Sequence, residues 1–116
     1  MVVFSALGKV FTAGLDLKEF GDMFSFDFSE KDPARESVRM YKLILKLQAI
    51  FWKIYECKVP VIVGVHGVCV GGGIDLISMC DIRYCTSDAQ FTIKEVDIGM
   101  AADLGTLQFM SESIGS

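Results

Sequence analysis

Three stretches of this 116-residue sequence predict an α/β fold. Between Ala34 and Glu56 the apolar residues Met40, Leu43, Ile44, Leu47, Ile50, Phe51 and Ile54 recur at spacings of three and four, as on one face of a long helix. Lys58-Val59-Pro60 ends that pattern, and Val61-Ile62-Val63-Gly64-Val65 follows as a fully apolar run of the kind buried on both faces of a sheet. Gly71-Gly72-Gly73 then opens an apolar segment, Ile74 to Cys80, that fits a short buried helix begun at a glycine-rich turn.

The remaining elements fill in around these. Val2-Val3-Phe4-Ser5, stopped by Gly8, reads as a buried strand, and residues 9–16 as a loop. Phe20 to Pro33 mixes Gly21, phenylalanines and acids with neither period, so a mobile surface loop is expected, its aromatics either lining an apolar pocket or, as the preferred reading, packing locally. Asp81 to Thr86 and Gln90 to Ile93 read as two short strands, with Ser87-Asp88 marking a turn between them. A last helix is expected to start at Asp103, a good N-cap ahead of Leu104, Leu107 and Met110. The order is β-α-β-α-β-β-α, without internal repeat, in a chain long enough for one domain and too short for two.

Composition and motifs exclude several classes. With 52% hydrophobic and 22% charged residues, the chain is unlike a disordered one. Its 11 basic and 15 acidic residues give a net charge of −4 with no Lys/Arg-rich run, so nucleic acid is not an expected partner. Cys57, Cys69, Cys80 and Cys85 lack Cys-x-x-Cys spacing and the single histidine, His66, adds no ligand set, so no metal is expected and the thiols read as reduced core residues of an intracellular protein. No secretory leader is visible, and the apolar run Val59 to Ile74 holds Pro60, His66 and five glycines, against a membrane span. Dinucleotide, P-loop and serine-hydrolase signatures do not occur, which leaves His66 a structural role.

Two glycine-bearing loops carry the chemistry: Phe11-Thr12-Ala13-Gly14-Leu15-Asp16-Leu17, and His66-Gly67-Val68-Cys69-Val70-Gly71-Gly72-Gly73-Ile74-Asp75. Singly each is weak, and a tight turn would explain the second. Together, in this order, they resemble the paired signature of the crotonase (enoyl-CoA hydratase/isomerase) superfamily, F-x-A-G-x-D followed by H/N-G-x-x-x-G-G-G-x-D/E. The resemblance implies a spiral of β-β-α units, of which this chain is an incomplete core, and an acyl-CoA thioester as substrate. It also implies an oxyanion hole for the enolate formed when a proton leaves the carbon beside the thioester carbonyl. The two N–H donors fall on Leu15 and Gly72, with Ala13, Gly14, Asp16 and Leu17 bordering the substrate. Losing one such donor costs roughly 2.7–4 kcal/mol of transition-state stabilisation in other enzymes.

Reaction type has to come from acids. Glu95 lies 20 residues after Asp75, matching the two acidic positions of hydratases in this superfamily, and Asp103 lies 8 residues further on. The run Lys94-Glu95-Val96-Asp97-Ile98-Gly99-Met100-Ala101-Ala102-Asp103-Leu104-Gly105-Thr106-Leu107-Gln108 resembles the dienoyl-CoA isomerase branch, where hydratases carry a small residue at the position of Asp103. Moving a proton between the ends of a conjugated diene needs an acid/base group at each end. By resemblance Glu95 serves the carbon next to the thioester, Asp103 the far end, and Asp75 positions or tunes the site. Their apolar neighbours are expected to raise their pKa values by desolvation. The plainer alternative makes Asp103 only a helix N-cap and Asp75 a surface acid; Asp16, Asp81 and Asp97 read as structural.

The resemblance runs from Val2 to about Gln108 and implies that strands before it and trimer-forming helices after it belong to the complete fold. Phe109-Met110-Ser111 departs from the superfamily's usual Arg-Leu-Pro. Further implications are no cofactor besides the CoA of the substrate, a homotrimer or homohexamer, and a peroxisomal or mitochondrial setting in fatty acid β-oxidation. The alternatives are an enoyl-CoA hydratase or Δ3,Δ2-enoyl-CoA isomerase within the superfamily, and an inactive fragment that acts only by binding.

Overall fold

A computed structural model describes residues 1–23 and 32–115. Strand β1 (Val2–Phe4) leads through a loop to helix α1 (Leu17–Met23), and helix α2 (Pro33–Tyr55) leads to strands β2 (Val61–Val65) and β3 (Val68–Val70). Helix α3 (Gly72–Ser78), strands β4 (Ile82–Cys85) and β5 (Gln90–Thr92), a 3-10 turn (Glu95–Ile98) and helix α4 (Thr106–Ile114) complete the order. Two parallel sheets result. One has strand order β1-β2-β4 and the other pairs β3 with β5, in register Val68 with Gln90 through Val70 with Thr92.

The most apolar strand is central. Val61, Val63 and Val65 of β2 pack with Cys69, Ile74, Ile77 and Cys80 into the core, with Phe4, Phe11, Ile54 and Met110 laid against it. Full burial stabilises each aliphatic side chain by about 1.5–3 kcal/mol, so this cluster holds sheet and helices together. Burial also pushes the Cys69 and Cys80 thiols up to about 11, which keeps them unreactive; Cys57 and Cys85, by contrast, are exposed. Helix α2 begins one residue before the apolar pattern suggests, because the Asp32 carboxylate accepts the Arg35 N–H and Pro33 fits the first turn. Its face of Met40, Leu43, Ile44, Leu47, Phe51 and Ile54 turns inward, whereas Ile50 is exposed.

Several expectations need correction. Strand β1 lies at the edge of its sheet with Val2 and Val3 exposed, so its apolar run is not buried on both faces. Phe20 to Met23 close helix α1, whose start is fixed by Asp16 Oδ1 accepting from Lys18 N at 2.9 Å and Glu19 N at 3.4 Å; that cap outweighs Gly21. The rest of the expected loop, up to residue 31, lies outside the described residues. Strand β3 is too short, between Gly67 and Gly71, to show a period, and its pairing with β5 makes it a strand. The strands on either side of Ser87-Asp88 belong to different sheets. Helix α4 starts at Thr106 rather than Asp103, and Phe109 packs its ring 5.7 Å from Trp52 and 4.9 Å from Tyr55, which gives an apolar residue at that position a partner on α2.

Structural roles expected for other residues are visible in their contacts. His66 Nε2 lies 3.0 Å from the Gly8 carbonyl, Asp81 Oδ2 accepts the Val61 N–H at 2.7 Å, and Asp97 pairs with Lys94 at 2.7 Å. The tightest junction is at Gly73, where a Cβ would overlap Thr12 Cγ2 and lie 3.0 Å from Cys69 Sγ; at Gly64 a Cβ would meet nothing within 4 Å. Gly73→Ala should therefore lower stability by about 1–3 kcal/mol, despite the helix propensity of alanine, while Gly64→Ala costs far less. Urea unfolding midpoints of the two variants check this, and equal midpoints would sink it.

Candidate active site

The two glycine loops meet where the chain leaves β3. Gly14 takes φ +92°, a conformation that favours glycine, and a Cβ there would crowd the Val70 carbonyl at 3.3 Å. Its N–H donates to Thr12 Oγ1 at 3.2 Å, and this turn directs Leu15 toward the second loop. A Cβ on Gly72 would lie 3.7 Å from Leu15 Cγ, so the first substituent met at position 72 is the Leu15 side chain. Gly71 N–H donates to the Thr92 carbonyl, continuing the β3–β5 ladder, and Gly72 is the first residue of α3. Neither Leu15 N–H nor Gly72 N–H donates to another described residue, so both are available to a ligand.

Beside this junction lies a cavity of about 260 Å³. Ala13, Gly14, Leu15 and Leu17 line it from the first loop, Val70, Gly71 and Gly72 from the second, and Leu47 from α2. Met100, Ala101, Asp103 and Leu104 complete the lining, with Lys94, Glu95, Asp97 and Ile98 at and beside the 3-10 turn. Three carboxylates, those of Glu95, Asp97 and Asp103, therefore border a largely apolar chamber together with the two loops, and the Asp97 one is paired with Lys94.

Glu95 opens the 3-10 turn, which is locked by Met100 N–H donating to the Glu95 carbonyl at 2.9 Å and by Gly99 at φ +75°. One oxygen, Oε1, would lie 3.7 Å from a Cβ on Gly71, which places the carboxylate against the second loop. The other, Oε2, is buried with no hydrogen-bond partner among the described residues. A buried unpaired carboxylate oxygen is costly, and it is the atom a proton to be taken would satisfy. Asp103 stands in the turn before α4, with its backbone carbonyl accepting from Gln48 Nε2 at 2.6 Å. Desolvation pushes its carboxyl above the ordinary 3.8, a hydrogen bond with its own backbone works against this, and the Asp75 charge adds repulsion.

Asp75 is placed differently. It is 1% exposed and does not border the cavity. Its Oδ1 accepts from Thr106 N at 2.8 Å and Thr106 Oγ1 at 2.7 Å, and Oδ2 is buried without a partner among the described residues. The idea of Asp75 as a surface acid is thus wrong, as is that of Asp103 as the cap of α4, because Asp75 accepts the N–H at the start of that helix from across the structure. Asp16 is likewise absent from the cavity wall and instead caps α1. Thr106 and Gln48 had no role in the sequence reading. Gln48 left one signal, a polar residue beside Leu47 on the apolar face of α2.

Among the described residues no group of three His, Cys, Asp or Glu side chains could hold a metal, and no helix is long and apolar enough to cross a membrane. A largely apolar cavity bordered by carboxylates and by both glycine loops is an arrangement suited to proton transfer at carbon. Asp103 also carries a stability consequence. Because its folded-state pKa lies above 3.8, its ionisation opposes folding, so that cost is absent at low pH and grows as pH rises from 3.8 through the raised value. Asp103→Asn should therefore raise the urea midpoint more at about pH 7 than at about pH 4; equal gains at both would refute the shift.

Residues 1–116 match the family model for enoyl-CoA hydratase/isomerase. The mitochondrial Δ(3,5)-Δ(2,4)-dienoyl-CoA isomerase of Mus musculus is 50% identical over 115 residues, covering 99% of this chain and 35% of that protein. The peroxisomal Δ(3,5)-Δ(2,4)-dienoyl-CoA isomerase of Arabidopsis thaliana is 44% identical, covering 99% of this chain and 41% of that protein. The chain thus spans little more than a third of the length of these relatives. Among solved structures, a Thermobifida fusca YX protein in complex with CoA superposes with a TM-score of 0.79 at 30% identity, over 98% of this chain and 43% of the other. Enoyl-CoA hydratase from Thermoplasma volcanium GSS1 does so with a TM-score of 0.73 at 31% identity, over 97% and 41%. With its two glycine loops joined at one cavity and a fold shared with these proteins, the chain belongs to the enoyl-CoA hydratase/isomerase family.

Proposed function

We propose that the protein carrying this chain is a Δ3,5-Δ2,4-dienoyl-CoA isomerase. The observation that supports this reading best is that Glu95 and Asp103 line the same cavity while Asp75 does not. A hydratase-type site would present the Asp75 and Glu95 carboxylates together, and here Asp75 is engaged with Thr106 beneath the wall. The names of the mouse and Arabidopsis relatives point the same way. The thioester carbonyl accepts hydrogen bonds from Leu15 and Gly72 N–H, Glu95 takes the proton from the carbon beside it, and the electron pair spreads through the dienolate. Asp103 delivers its proton to the far carbon, so the double bonds move from positions 3 and 5 to 2 and 4 with no net change in composition. Desolvation holds the Asp103 carboxyl above its ordinary range, so it takes up a proton more readily than a free aspartate does.

The setting follows from the same reading: fatty acid β-oxidation, in the mitochondrion or peroxisome where the named relatives are placed, as a homotrimer or homohexamer without further cofactor. The whole protein incubated with a 3,5-dienoyl-CoA should develop conjugated 2,4-diene absorbance, and the absence of any gain rejects the assignment. Asp103→Ala should lower isomerisation by roughly 10²–10⁴-fold while sparing any hydration of a 2-enoyl-CoA. Equal loss of both activities would show that Asp103 has no dedicated role at the far end of the diene.

A further inference from the structure

The turn that presents Asp103 is held from two sides. Helix α4 begins without a local cap: Gly105 precedes it at φ +140°, and the acceptor for its first N–H is a carboxylate 31 residues earlier in the chain. On the other side, Gln48 of α2 donates to the Asp103 carbonyl at 2.6 Å. Between the two contacts the backbone has little freedom, since a Cβ on Gly105 would overlap Met79 Cε and lie 3.6 Å from Phe109 Cδ2.

We infer that Thr106 and Gln48 are positioning residues for Asp103. Thr106, by placing both its N–H and its hydroxyl on one oxygen of buried Asp75, fixes the start of α4, and Gln48 fixes the main chain three residues upstream. The inference rests on the reading of Asp103 as a proton-transfer group. A simple helix start would be served by an exposed Ser or Asp at the cap. A carboxylate at 1% exposure is an expensive substitute, worthwhile where the turn must hold still. Misplacing a reacting group by about 1 Å can cost on the order of 100-fold in rate. Neither residue touches the substrate in this account; both act through the backbone that carries Asp103.

The test uses the whole protein with Thr106→Val, which keeps the shape and the N–H bond but loses the hydroxyl donor, with Thr106→Ser, which restores it, and with Gln48→Met. The charged groups around Asp103 are Asp75 on α3 and Glu95, Lys94 and Asp97 at the cavity, and all remain in every variant. Thr106→Val and Gln48→Met should each lower kcat by roughly 10- to 100-fold with KM nearly unchanged. The Asp103 carboxyl, followed by 13C NMR titration, should move down toward 3.8 as the loosened turn admits water. Thr106→Ser should return both quantities to wild-type values. Folded Thr106→Val with unchanged kcat and titration overturns the role of Thr106; should that variant not fold, an unchanged Gln48→Met overturns the two-sided clamp. If the wild-type protein lacks diene activity, the functional reading fails on its own, and the titration still decides whether the turn is positioned by these residues.

Discussion

Asp75 sets the height of the floor under the cavity. Its carboxylate is out of reach of water, and a charge so buried is tolerable only when donors face it. Two donors do, both from Thr106, and they tie α3 to α4 at the depth where the cavity wall begins. Helix α3 is in turn tied to the first loop through the close contact of Gly73 with Thr12, and to β4 through Arg83, whose guanidinium donates to the carbonyls of Ile77 and Cys80. Taking the Asp75 carboxylate away would leave the start of α4 without an acceptor and the core with a hole lined by polar groups.

The three acids are held in place in different ways. Glu95 keeps an unpaired oxygen at the wall and, among the described residues, is anchored through its backbone by the 3-10 turn and Gly99. Asp103 is half-buried, its main chain held through its carbonyl by Gln48 while its carboxyl borders the cavity. Asp75 also keeps one oxygen unpaired, but its other oxygen is held by Thr106 and it does not border the cavity. What separates the three is therefore which of them the cavity reaches, not which of them keeps an unpaired oxygen.

The main architecture was legible because its signals are long. The 3.6-residue period over α2 and the unbroken apolar run of β2 survive any choice of neighbours, and the glycine triplet opened α3 where expected. The two glycine loops and the acids Glu95 and Asp103 could likewise be picked out, since both loops and both acids border one cavity. What was hidden depends on partners distant in sequence. Strand β3 is a strand only through β5, the exposure of β1 depends on its edge position, and the start of α4 depends on Asp75 rather than on the nearby Asp103. Local rules placed a cap at Asp103 because an aspartate ahead of an apolar run looks like one; the true acceptor was 31 residues away.

The contact between Thr12 and Gly73 joins the two glycine loops into one mechanical part. The Thr12 side chain occupies the space a Cβ at position 73 would need, and Thr12 also bridges to Cys69 in the strand that carries the second loop. Each loop is therefore cut to fit the other. Chimeras between members of this family that exchange one loop alone would bring together surfaces shaped for different mates, whereas exchanging Phe11–Leu17 and His66–Asp75 as a pair would carry the fit along with the chemistry.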